Sequence, residues 1–124
     1  MNTLHRARQL QDRTRNFAVR VIRAFARLPK DEATRIIGRQ FLRSGTSLAA
    51  NYRASCRARS AADFISKISV VTEETDEMLF LVRALDRSRT RNAESSWSAD
   101  LGMRGIAENI LRIASYGEIQ SLTL

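Results

Sequence analysis

The chain has 124 residues, 44% of them hydrophobic, enough for one core and one domain and well outside the composition of disordered segments. One proline and five glycines leave too few turn signals for a sandwich or barrel, and the excess of alanine, arginine and leucine favours helices. The charge of +8 is uneven: residues 1–60 hold 14 basic and 3 acidic side chains, net +11, whereas residues 61–124 hold 7 and 10, net −3.

In chain order, residues 1–11 are arginine-rich without an apolar stretch behind them, which argues against a secretory leader and predicts a frayed end. At about 100° per residue, the segment from about 12 to 28 gathers Phe17, Ala18, Val21, Ile22, Ala24, Phe25 and Leu28 on one side. Arg13, Asn16, Arg20, Arg23 and Arg27 fall opposite. Pro29 ends this helix, because the residue before a proline avoids α geometry.

A second helix, 32–55, starts behind Asp31 as N-cap with Glu32 in its first turn. Its expected inward face is Ala33, Ile37, Gln40, Phe41, Ser44, Leu48, Asn51 and Tyr52. The small residues Ser44 to Ser47, with Ala49 and Ala50, invite a close helix neighbour. Arg35, Arg39 and Arg43 follow one another at four-residue steps on the other side, and Arg53 and Arg57 return to the same line.

A third helix, 61–87, opens with Ser60-Ala-Ala-Asp63, a capping box with aspartate in place of glutamate. Its expected core face is Phe64, Ile68, Val71, Thr75, Met78, Leu79 and Val82, with Glu73, Glu74, Asp76 and Glu77 on a solvated or interfacial side. Residues 87–98 lack a period and read as a loop. A fourth helix, about 99–116, places Met103, Ile106, Ile110, Ile113 and Ala114 together before Gly117, and 118–124 are expected to fray. Four amphipathic segments with short links predict an all-α, antiparallel up-and-down four-helix bundle over residues 1–124.

Chemistry is sparse. His5, the single histidine, falls in the basic end, and the single cysteine, Cys56, lacks a histidine partner and fits a reducing cytoplasm. The acidic run lacks the Glu-x-x-His motifs of di-iron bundles. The longest apolar run, Met78 to Val82, is far too short to span a bilayer. The expectation is a non-enzyme without metal, cofactor, small-molecule substrate or membrane partner.

Function, on this reading, lies in the arginines. Of 21 basic residues only Lys30 and Lys67 are lysine, and arginine prefers planar partners such as phosphate and carboxylate. Arg35, Arg39, Arg43, Arg53 and Arg57 form a candidate surface for RNA or DNA phosphates, with Tyr52 and Phe80 as stacking surfaces. Alternatively, the basic half docks on the acidic third helix of another copy, making a structural ring scaffold. A coding bias towards arginine is a third reading. Leu42, Val70, Phe80 and Leu81 lie off the expected core and form a candidate oligomer interface, and the charge split suggests a head-to-tail contact that can close into a ring.

Several stretches resemble one family. Leu28-Pro29-Lys30-Asp31-Glu32 resembles the fPk.E lead-in of the four-helix-bundle proteins encoded within intervening sequences of bacterial large-subunit ribosomal RNA genes. The stretch from Gln40 to Asn51 is similar to that family's Q-l-x-R-a-x-x-S-i-x-x-N signature. Asn51-Tyr52-Arg53-Ala54, with Ser60 to Ile68, resembles its N-Y-R-E-A…S-x-x-D-F-I-x-K-I variant, and Glu73 to Glu77 its K-E-A-x-E. Ala54 and Ser55 depart from it where many members carry an acidic residue, and 101–124 match loosely. The resemblance implies a left-handed four-helix bundle, assembly as a homopentameric ring, and relatives that assist retroelement reverse transcriptases by binding RNA through a basic surface.

Overall fold

The computed structural model describes residues 3–89 and Glu108. Three helices are built in chain order: α1 Thr3–Arg27, α2 Glu32–Ser55 and α3 Ala61–Arg89. Among the described residues there is no strand, and no helix is long and apolar enough to cross a membrane. The expected fourth helix, 99–116, lies outside the described residues, as does the expected frayed tail at 118–124.

α1 starts nine residues earlier than the expected 12–28. The reason is local: Leu4 to Gln11 contains good helix formers and no glycine or proline, so nothing halts propagation towards the N-terminus. Its last backbone bond, Leu28 N–H to the Phe25 carbonyl at 3.2 Å, precedes Pro29. Asp31 then caps α2 from an extended conformation. Its Oδ2 accepts from the Thr34 N–H at 3.1 Å and from the Thr34 hydroxyl at 2.8 Å. α3 is capped by Ser60, whose Oγ accepts from the Asp63 N–H at 3.1 Å. Asp63 reaches back one residue further than a capping box requires, to the Arg59 N–H at 3.1 Å.

The core is a single cluster drawn from all three helices: Phe17, Val21 and Ala24 from α1, Phe41, Leu48 and Tyr52 from α2, and Ile68, Val71, Met78, Leu81, Val82 and Leu85 from α3. Two glycines set how closely α2 is approached. A Cβ built on Gly38 would lie 2.8 Å from Leu28 Cδ1, and one on Gly45 would lie 2.7 Å from Val21 Cγ1 and 3.2 Å from Met78 Cε. As α2 advances from Gly38 to Gly45, its neighbours on α1 retreat from Leu28 to Val21, so these two helices run antiparallel.

The buried face of α2 is rotated from the expected one. Thr34, Gly38, Gly45, Ala49 and Ser55 are buried with Phe41, Ser44, Leu48 and Tyr52, whereas Ala33 and Gln40 are exposed. Hydropathy could not locate it because glycine and serine carry no apolar signal, and close approach alone puts them inside. On α1, Ile22 is half exposed, and Thr14 takes a buried place with its hydroxyl donating to the Gln11 carbonyl at 2.8 Å.

Candidate nucleic-acid interface

Arg35, Arg39, Arg43 and Arg53 are all exposed on α2, and Arg57 is exposed in the turn that follows it. They divide into three groups. Arg35 and Arg39 occupy the N-terminal half of α2, one helical turn apart. Arg53 lies about 21 Å along the axis from Arg39, from 14 residues at about 1.5 Å each, too far to share one phosphate with it. Arg43, between them, is engaged elsewhere.

The Arg43 guanidinium crosses to α3. Nη1 donates to Glu74 Oε1 at 3.3 Å, and Nη2 donates to Glu77 Oε1 and Oε2 at 2.9 and 3.1 Å. Nη2 also lies 3.2 Å from the buried Ser44 hydroxyl. The hydrogen bond to Glu77, and next that to Glu74, push the Arg43 pKa up from its ordinary value. Its charge is thereby met within the chain. Glu74 and Glu77 correct the expectation of an acidic run turned wholly outward. They flank buried Thr75 and Met78, so they face α2, and the Glu74 side chain is only 14% exposed. Glu73 and Asp76 are exposed.

Below Arg43 the chain turns sharply. Cys56 N–H donates to the Tyr52 carbonyl, Arg57 N–H to Ala54 and Ala58 N–H to Ser55, at 3.1 to 3.2 Å. This turn, with Arg53 from the end of α2 and Lys67 from the start of α3, borders a cleft of about 400 Å³ that Arg57, Arg59 and Asp63 also line. Lys67 Nζ donates to Asp63 Oδ1 at 2.6 Å. That bond, and next the one from the Arg59 N–H, hold the Asp63 carboxyl below its usual pKa. The side chains of Arg35, Arg39, Arg53, Arg57 and Arg59 form no ion pair or hydrogen bond among the described residues. Arg59 and Lys67 had no part in the sequence-derived set. The one available signal was the S-x-x-D start of α3, which draws the chain back beside α2.

Of the expected interface residues, Phe80 is 70% exposed and Val70 37%. Leu42 is half-buried against the core. Leu81 is a correction: it is 3% exposed and belongs to the core, because the buried arc of α3 continues through Met78, Leu81, Val82 and Leu85. Tyr52, expected as a stacking surface, is also buried in the core, which closes it to a base. No group of three or more His, Cys, Asp and Glu residues that could hold a metal ion occurs among the described residues.

The chain is similar to a solved protein of unknown function from the S23 ribosomal protein family of Bacteroides thetaiotaomicron. The two are 27% identical with a TM-score of 0.75, over 90% of this chain and 97% of the other. No family model matches the sequence. No curated protein matches it either.

Proposed function

We propose that the protein is a non-enzymatic, oligomeric, nucleic-acid-binding protein, whose exposed arginines on and after α2 contact RNA or DNA phosphates. The whole chain is, on this reading, a left-handed antiparallel four-helix bundle of the intervening-sequence kind, assembled as a cyclic homopentamer. The observation that carries the functional reading is the set of exposed guanidiniums at Arg35, Arg39, Arg53 and Arg57, none with a side-chain partner among the described residues. Guanidiniums in that state suit phosphate, which accepts two parallel N–H bonds. Phosphate contacts fix position without reading sequence, so binding is expected to be non-specific and steeply salt-dependent. A ring would multiply a modest patch by its number of subunits.

The scaffold alternative requires arginines to pair with a neighbour's acids. The Arg43 bridge already uses Glu74 and Glu77 within one chain, which leaves Glu73 and Asp76 as the exposed acids of that run. The test is a titration of labelled single-stranded RNA and duplex DNA against wild type and an Arg35→Ala/Arg39→Ala/Arg53→Ala/Arg57→Ala variant at several salt concentrations. Wild-type binding that weakens with salt, and is lost in the variant, supports the phosphate reading. Absence of wild-type binding at low salt, with an oligomer that falls apart in salt, favours the scaffold.

A further inference from the structure

We infer that the cleft at the α2–α3 corner is a discrete phosphate-binding site, built by Arg53, Arg57, Arg59 and Lys67 around Asp63. This deepens the nucleic-acid reading and rests on it for the natural source of the phosphate, a nucleic-acid strand. Four cations and one carboxylate line the cleft, a local charge of +3. The carboxylate does not quench the guanidiniums, because Oδ1 is taken by Lys67 and Oδ2 by the Arg59 N–H. Asp63 is instead a brace: it pins Lys67 and the backbone beside Arg59, so two sides of the cleft keep their shape without a ligand.

The guanidiniums of Arg53, Arg57 and Arg59 repel one another across the cleft, a cost that an anion between them removes. The volume of about 400 Å³ is ample for a phosphate group with part of its sugar. Ala54, with only a methyl group, keeps the α2 wall low enough for a strand to pass. Planar, bidentate donors in this number favour the tetrahedral phosphate group with its several acceptor oxygens.

The experiment pairs two probes with two variants of the full chain, each checked for helical content. Inorganic pyrophosphate is titrated while the thermal midpoint is followed, and fluorescein-labelled single-stranded RNA is titrated by anisotropy. The variants are Arg53→Gln/Arg57→Gln/Arg59→Gln and, as a control elsewhere on α2, Arg35→Gln/Arg39→Gln. Pyrophosphate should raise the midpoint of the wild type and the control but not of the corner variant. RNA affinity should fall at least about tenfold in the corner variant, with a salt slope shallower by about 2 because three phosphates are no longer neutralised. Should RNA fail to bind wild type while the pyrophosphate effect still depends on the corner, the phosphate site stands and the nucleic-acid reading falls. A corner variant that responds to pyrophosphate like wild type overturns the site, whatever RNA does.

Discussion

The guanidinium of Arg43 on α2 meets both carboxylate oxygens of Glu77 on α3, at 2.9 and 3.1 Å, and extends its other nitrogen to Glu74 at 3.3 Å. One exposed side chain thus ties two helices across 31 to 34 residues of sequence. Truncating it leaves the mostly buried Glu74 carboxylate without its cation, and an unpaired buried charge costs more than the pair contributes. Arg43→Ala should therefore lower the thermal midpoint more than Glu77→Ala does, and adding Glu74→Gln to Arg43→Ala should restore part of the loss. Melting curves of the three variants and wild type decide it, and additive effects of Arg43→Ala and Glu74→Gln would count against the bridge.

Gly45 and Gly38 predict opposite outcomes for the same substitution. At Gly45 the new methyl would meet the γ-carbons of Val21 at 2.7 and 2.9 Å, and a β-branched side chain in a helix has little freedom to turn aside. Gly45→Ala should destabilise by about 1–3 kcal/mol, with overpacking exceeding the gain in helix propensity. At Gly38 the nearest atom is the far end of Leu28, at the edge of the bundle, and it can shift. Gly38→Ala should be neutral or stabilising by up to about 1 kcal/mol. Urea unfolding of both variants separates the two cases.

The Asp63–Lys67 pair gives a pH dependence of definite sign. The folded carboxyl titrates below its ordinary value, so its contribution is complete above about pH 5. It is lost as pH falls through the folded pKa, below about 4. Asp63→Asn should melt earlier than wild type at pH 7, and the two should converge towards about pH 2. A difference that stays constant over that range would mean the carboxylate's charge plays no part.

Phe80 and Val70 offer a test of self-association that leaves the core intact. Both are exposed, so Phe80→Ser/Val70→Ser should change little within one chain. In the proposed pentamer, light scattering of wild type should give about 70 kDa, five times 14.0 kDa, and the variant should dissociate towards the single-chain mass. A wild type of 14.0 kDa at micromolar concentration refutes the ring.

Local chemistry made much of this legible in the sequence. Pro29 and Asp31 mark the α1–α2 break, Ser60 and Asp63 mark the start of α3, and the range expected for α2 is the range found. The phase of α2 was harder, since Gly38 and Gly45 are inside for want of a side chain rather than because of one. Partners were harder still. Nothing local tells Arg43 from Arg39, because only the register of α2 against α3 brings Glu74 and Glu77 under one and not the other. Arg59 and Lys67 join Arg53 and Arg57 for the same reason.

The tight contact at Gly45 also constrains how the sequence can drift. A residue with no side chain can only grow, and growth on α2 must be matched by loss on α1 or α3. Val21 is the stiff neighbour and Met78 the pliant one, with its methyl group at 3.2 Å. Related chains with alanine or serine at this position should therefore carry a smaller residue in place of Val21 more often than in place of Met78. The size of α1's inner face is thus inherited from a single position on α2.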